Sequence, residues 1–264
     1  MLKLCVAGAA GRMGNAIIAE ATAKGHQIVG AIEAPNNPNI GKTLRELGIA
    51  NSETQILSSN KLNEALRAAD TFVSFTVPAA EVINIPIVAN LGKRILLGTT
   101  GFTPAQTLHV VAAMTGKVPA VFSPNYSVGI NILFRLAESL KAFPLGYDFS
   151  INEIHHTGKK DAPSGTAKKL GEIVAATRGY SKVVSGREGI SPRQAGELEI
   201  SALRAGGVPG IHDLIVAGQY EMLRMEHIAF SRNVFAQGAI YAAEWLNKQN
   251  EPKVFSMADV LRLS

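Results

Sequence analysis

The chain has 264 residues, 47% of them hydrophobic, enough for one large core or two smaller ones, and its length sets an expectation of about two domains. Its formal charge of +5 comes from 26 Lys and Arg scattered against 21 Asp and Glu, with no basic tract that could follow a phosphate backbone, so small anionic ligands are favoured over nucleic acid. A single cysteine, Cys5, excludes an intramolecular disulfide and fits a reducing cytoplasm; in an apolar strand it reads as a core residue and not as a nucleophile.

The opening residues, MLKLCVAGAAGRMG, are interrupted by Arg12 and three glycines before a leader-type apolar run can form. No other run reaches the ~18 apolar residues of a membrane span, so a soluble protein is expected. In chain order, LKLCVA is a strand, residues 13 to 24 a helix and HQIVGAIE a second strand, while TFVSFTV, RILLGTT and AVFSPN are the third, fourth and fifth. Each run is nearly continuous in apolar residues, as in a doubly wound parallel sheet covered by helices on both faces. After Asn125 the pattern changes. A long helix over SVGINILFRLAESLKAF precedes a strand in YDFSINEIHH and a helix through GTAKKLGEIVAAT. Then come GELEISALRA, IHDLIVAG and MLRMEHIAF, strand-like runs parted by Gly and Pro turns, which predict a second, α+β domain with an antiparallel or mixed sheet. The last stretches, NVFAQGAIYAAEWLNK and VFSMADVLRL, read as helical.

Gly8, Gly11 and Gly14 stand where the first strand hands over to a helix, a place where backbone N–H groups and the helix dipole can hold a pyrophosphate. The spacing departs from G-x-G-x-x-G, with Ala9 in the first glycine position. Glu33 ends the second strand about 20 residues on, where an acid binds the ribose hydroxyls. A carboxylate there favours NADH over NADPH, although Arg12 could reach a 2′-phosphate. The loops GTTGF and SPNYSVG also follow strands and are expected at the C-terminal edge of the sheet, with small and hydroxyl side chains suited to a nicotinamide ring.

The densest chemistry lies in EIHHTGKKDAPSGT. His155 and His156 would point to opposite faces of a strand, so both serve one pocket only if the strand ends between them. No Cys lies nearby and neither H-x-H nor H-x-x-x-H spacing occurs, so no metal is expected. Pro163 suits the first turn of a helix, Ser164 is a candidate N-cap, and Gly165 and Thr166 would present N–H groups to an anion such as a carboxylate. Two His and a Lys upstream of that end supply cationic and proton-transferring groups. His26, His109, His212 and His227 read as ordinary surface or core residues, and Lys168 and Lys169 as a solvated helix face.

The motifs GAAGRMG, GTTGF, NYSVGIN, EIHHTGKKDAPSGTA and SGREGI, in this order and over essentially the whole chain, resemble those of the dihydrodipicolinate reductases of lysine and diaminopimelate synthesis. The resemblance implies a Rossmann-type dinucleotide-binding domain over residues 1 to 126, to which residues 236 to 264 return, and a substrate-binding and oligomerisation domain over residues 127 to 235 in a homotetramer. It makes His155 a proton donor or acceptor and Lys159 a proton donor, with His156, Gly165 and Thr166 as substrate contacts. It places the cofactor on Gly8, Ala9, Ala10, Gly11, Arg12, Met13, Glu33, Gly98, Thr99, Thr100, Ser123, Pro124, Asn125 and Tyr126. Some members carry Arg directly after the ribose-binding acid, where this chain has Ala34. Hydride transfer between two stacked rings would call for domain closure, with hinges expected near Tyr126 and Phe235. The rival readings are a dehydrogenase acting on an amino acid or semialdehyde, and a non-catalytic dinucleotide sensor.

Overall fold

In a computed structural model that describes residues 1–263, β1 (Lys3–Ala7) runs into α1 (Arg12–Ala23) and β2 (Gln27–Glu33), all close to the bounds expected from sequence. A long irregular segment leads to β3 (Ile56–Ser58), α2 (Leu62–Ala65) and β4 (Thr71–Ser74). Then follow α3 (Pro78–Asn90), β5 (Arg94–Leu97), α4 (Pro104–Met114) and β6 (Ala120–Phe122). The third expected strand is thus the fourth, because β3 is only three residues long and lacks a periodic signature. It also stops at Ser74, since Pro78 begins α3, where its fixed φ and missing N–H suit a first turn.

The chain divides into two compact units, the second spanning Val128–Arg232. That unit contains α5 (Val128–Ser139), β7 (Asp148–His155), α6 (Gly165–Arg178), β8 (Lys182–Val184), β9 (Glu197–Arg204), β10 (Ile211–Ala217) and β11 (Met222–Ile228). Its sheet, in the order β11-β10-β7-β9-β8, is mixed: β7, β9 and β8 run parallel, whereas β10 is antiparallel to both β7 and β11. Phe149 and Ile151 alternate toward the helix-covered face, where they join Leu133, Leu170, Val174, Leu198, Leu214 and Val216 in one core. Glu153 and His155 continue that alternation, so the same period that builds the core buries two ionisable groups at the end of β7.

From Asn233 the chain returns to the first unit as α7 (Asn233–Leu246), β12 (Val254–Phe255) and α8 (Met257–Val260). The stretch VFSMADVLRL is therefore not one helix: Val254 and Phe255 pair with Ala120 and Val121 of β6, and Ser256 caps a short helix after them. The completed sheet is parallel throughout, in the order β12-β6-β5-β4-β1-β2-β3. Successive residues of β1 go to opposite faces. Leu4 and Val6 pack with Ile17, Ile18 and Ile240; Cys5 and Ala7 pack with Ile32, Phe72, Ile85 and Ile95. Burial pushes the Cys5 thiol up to about 12, which leaves it an inert core group. Among the described residues no helix is long and apolar enough to cross a membrane.

Candidate active site

In the first unit, Gly8 takes φ +68°, a conformation glycine adopts without a Cβ clash, and turns the chain out of β1. The Gly8 and Ala9 N–H groups donate to the Ile32 carbonyl at 2.9 and 3.2 Å, which binds the turn to the end of β2. A Cβ at Gly14 would collide with the Gly8 carbonyl, so α1 can close on the turn only with glycine there. Gly11 caps α1 without a side-chain bond, and Arg12 and Met13 open the helix, where N–H groups lie ahead of the intrahelical ladder. Glu33 accepts the Ala10 N–H at 2.8 Å through Oε1 and the Ala34 N–H at 3.3 Å through Oε2. The acid expected to read the ribose is thus docked on the glycine turn itself. These residues leave the close backbone approach that a pyrophosphate requires, and fit a dinucleotide.

The two other expected cofactor loops follow β5 and β6 at the same sheet edge. Thr100 and Pro124 are exposed and Gly98 is half-buried, whereas Thr99, Ser123, Asn125 and Tyr126 are buried. Ser123 Oγ donates to the Asn125 carbonyl at 2.9 Å, and Asn125 Oδ1 accepts the Ser127 N–H at 2.8 Å. The Tyr126 ring turns into the core against Phe75, with its hydroxyl 3.0 and 3.1 Å from the Leu97 and Val121 carbonyls, and burial raises its pKa well above the ordinary phenol value. Only the backbone of Tyr126 stays with the loop.

In the second unit, β7 ends at His155, so His156 begins the loop. Glu153 is completely buried. Its Oε1 accepts from Arg204 Nη2 and the Ser164 N–H, both at 2.9 Å; its Oε2 accepts from Arg204 Nη1 at 2.9 Å and from His155 Nδ1. Burial alone would raise the Glu153 carboxyl, but the Arg204 fork, His155 and the Ser164 N–H outweigh it and hold it below the usual value. A carboxylate only accepts, so His155 donates from Nδ1, and its Nε2 is the atom left to exchange a proton. Nε2 faces Gly210, where an added Cβ would stand 3.1 Å away. Burial lowers the His155 pKa first; Glu153 opposes this, and Lys159 and Arg204 reinforce it.

Lys159 Nζ donates to Asp161 Oδ1 at 2.8 Å. Their loop is pinned by Arg204 Nη2 on the Asp161 carbonyl at 2.6 Å and by the Thr157 N–H on the Gly206 carbonyl at 3.1 Å. Ser164 caps α6, accepting the Ala167 N–H at 3.1 Å, and puts Gly165 and Thr166 in the first two helical positions; Pro163 precedes the cap instead of lying in the first turn. Among the described residues no group of three or more His, Cys, Asp or Glu is placed to hold a metal ion.

Sequence reading missed three members of this cluster. Arg204 and His212 arrive from β9 and β10, paired across the sheet with His155 and Glu153 respectively, and no local pattern marks them. Glu153 was legible through the period of two, since it shares a strand face with His155. His212, expected to be an ordinary core or surface residue, lies with its ring 5.1 Å from that of His155 and with Nε2 3.1 Å from Ser164 Oγ. Burial, helped by the nearby His155 charge, holds the His212 imidazole down to about 3 from an ordinary 6.5. A depressed His stabilises the fold above its unfolded pKa, and that contribution is lost as pH falls from 6.5 toward 3. His155 and His227 are lowered as well and act in the same direction. From pH 6.5 to 5 His212 alone should remove about 2 kcal/mol of stability, at about 1.4 kcal/mol per pH unit. Urea melts across that range should show a visibly shallower dependence for His212→Gln; an identical dependence would mean that His212 is not held neutral.

A parallel sheet with the glycine turn and its acid, joined in one chain to a mixed-sheet unit bearing buried acid–base groups, is the build of the pyridine-nucleotide oxidoreductases. Residues 2–126 match the family model for the dihydrodipicolinate reductase N-terminus, and residues 129–261 match that for its C-terminus. The chain belongs to the dihydrodipicolinate reductase family. It is 40% identical over 268 residues to the 4-hydroxy-tetrahydrodipicolinate reductase of Methanosarcina acetivorans, covering 100% of both chains, and 38% identical over 275 residues to that of Citrifermentans bemidjiense, again over 100% of both. The fold is shared with the dipicolinate-bound dihydrodipicolinate reductase from Paenisporosarcina sp. TG-14, at a TM-score of 0.74 and 20% identity over 98% of this chain and 99% of that one. Aspartate semialdehyde dehydrogenase II from Vibrio cholerae resembles it less, at a TM-score of 0.56 and 10% identity over 93% and 98%.

Proposed function

We propose that this chain reduces 4-hydroxy-tetrahydrodipicolinate to tetrahydrodipicolinate in the diaminopimelate and lysine pathway, with NADH preferred to NADPH. The observation that carries the reading is the Arg204–Glu153–His155 array beside Lys159 and the capped start of α6: it supplies a neutral, oriented imidazole, an ammonium and a carboxylate-binding helix end within one unit. Loss of the 4-hydroxyl as water, with a proton from the carbon between C4 and the imine, leaves a conjugated imine, to whose C4 the reduced nicotinamide would supply a hydride when bound. Lys159, with His155 as donor or acceptor, meets the resulting electron density with a proton. His156, Gly165 and Thr166 receive a substrate carboxylate, whose negative charge would draw the Lys159 ammonium from Asp161 and raise the protonated fraction of His155.

In this reading Gly8, Ala9, Ala10, Gly11, Arg12 and Met13 hold the pyrophosphate, Glu33 the ribose, and the loops at Gly98, Thr99 and Thr100 and at Ser123, Pro124, Asn125 and Tyr126 the nicotinamide end. The unit Val128–Arg232 serves the substrate. A cytoplasmic homotetramer would form through the mixed-sheet unit, whose edge strand β11 exposes Met222, Leu223 and Ile228. The direct test is coupled oxidation of NADH and of NADPH, with the substrate generated from pyruvate and aspartate semialdehyde by its synthase. Synthase-dependent oxidation supports the reading; folded protein that binds NADH but oxidises none would favour the sensor or another dehydrogenase.

Glu33→Ala separates the two cofactors. The variant should lose about tenfold in NADH affinity through the ribose hydroxyls, and less in NADPH affinity, because the same carboxylate repels a 2′-phosphate. Some loss is expected for both, since Glu33 also holds the Ala10 N–H. Equal losses in fluorescence titrations would show that the acid supports the turn without reading the ribose.

A further inference from the structure

Glu81, in the first turn of α3, is a completely buried acid with no cationic partner among its hydrogen bonds. Its Oε1 accepts three hydroxyl groups: Ser74 Oγ at 2.5 Å, Thr76 Oγ1 at 2.5 Å and Thr99 Oγ1 at 2.7 Å. Oε2 is buried and makes no hydrogen bond among the described residues. Thr99 Oγ1 in turn accepts the Thr76 N–H at 2.8 Å. A carboxyl buried in this way costs stability, and hydroxyls compensate it less than a guanidinium would. What the cluster provides is geometry. Ser74 ends β4, Thr76 lies in the loop beyond it, and Thr99 lies in the loop beyond β5. Thr76 also reaches the first loop, since a Cβ on Gly8 would stand 3.1 Å from its Cγ2. Between them, the Phe75 ring fills the space that a side chain at Gly98 would need.

We propose that Glu81 is a positioning residue for the dinucleotide, fixing the loop at residues 98 to 101 and Thr76 against the glycine turn, with the Thr99 hydroxyl as the pin. The inference rests on the cofactor reading above and refines it. A hydroxyl has one proton and two lone pairs. In Thr99 the proton goes to Glu81 and one lone pair to the Thr76 N–H, and the residue is only 2% exposed. The loop therefore meets the cofactor through its backbone and Thr100, and Thr99 acts by holding them in place.

The test is NADH affinity by fluorescence titration, with thermal melts alongside, for Glu81→Met, Thr99→Val, Thr99→Ser and the Met/Val double variant. Glu81→Met, which removes the accepting oxygen at similar volume, and Thr99→Val should each weaken NADH by about tenfold. The double variant should be no weaker than either, because both break one link, and Thr99→Ser, which keeps the pin, should stay within about twofold of wild type. Wild-type affinity in folded Glu81→Met and Thr99→Val would overturn the proposal. So would additive losses, which would mean that Thr99 touches the cofactor directly. If Glu81→Met does not fold, the contrast between Thr99→Val and Thr99→Ser decides in the same way. Wild-type protein that binds no NADH at all would instead remove the cofactor reading on which the proposal stands.

Discussion

Lys159→Ala is expected to lower kcat by about 10²- to 10⁴-fold, the usual contribution of a positioned general acid, while NADH affinity stays within about twofold of wild type. The reasoning starts from the loop. Its shape is set by Arg204 on the Asp161 carbonyl and by the Thr157 N–H on Gly206, and the Lys159 side chain takes part in neither bond. The backbone should therefore survive truncation. The Lys159 side chain is 20% exposed and pairs with the more exposed Asp161, a contact that contributes little to stability and yields readily to a substrate carboxylate. Loss of the ammonium removes a proton donor and a charge, so KM for the dicarboxylate should rise as kcat falls. An unchanged kcat with a raised KM would reduce Lys159 to a carboxylate anchor, and no change in either would remove it from the site.

The motif around Lys159 was legible because it is local. A strand end, a loop and a helix cap follow one another within residues 153 to 166, and residue type together with capping preference places most of their groups. The glycine turn was legible for the same reason, as Gly8, Gly14 and Glu33 belong to one strand–helix–strand unit. The parts that escaped are set by tertiary packing. Arg204 and His212 join the cluster only through cross-strand register, and Glu81 finds Thr99 only because β4 and β5 are neighbours. The strands β3 and β12 have three and two residues, too few for a period to declare itself. Tyr126 is a different case. A motif position near a ligand loop does not say where the ring points, and burial sends this one into the core.

Glu153→Gln tests the least local of these relations and should have the second large effect. Glutamine keeps the volume but not the charge, and its amide nitrogen cannot accept the His155 N–H. The imidazole then loses its fixed tautomer, a defect that costs about 10²- to 10⁴-fold in kcat where a carboxylate orients a catalytic histidine. The direction of the pH shift follows from the balance on His155. Glu153 raises its pKa, whereas burial, Lys159 and Arg204 lower it. Without the carboxylate only the lowering influences remain, so the limb of the kcat profile that reports loss of the protonated form should move to lower pH. Arg204 also loses its counter-ion, which should cost about 3 kcal/mol in a urea melt, tempered by the 20% exposure of its side chain. NADH affinity provides the control, because none of these groups belongs to the first unit. A variant that loses stability but keeps the wild-type pH profile would show that Glu153 only neutralises Arg204. A shifted profile with NADH binding intact would show that this buried carboxylate sets the protonation of His155.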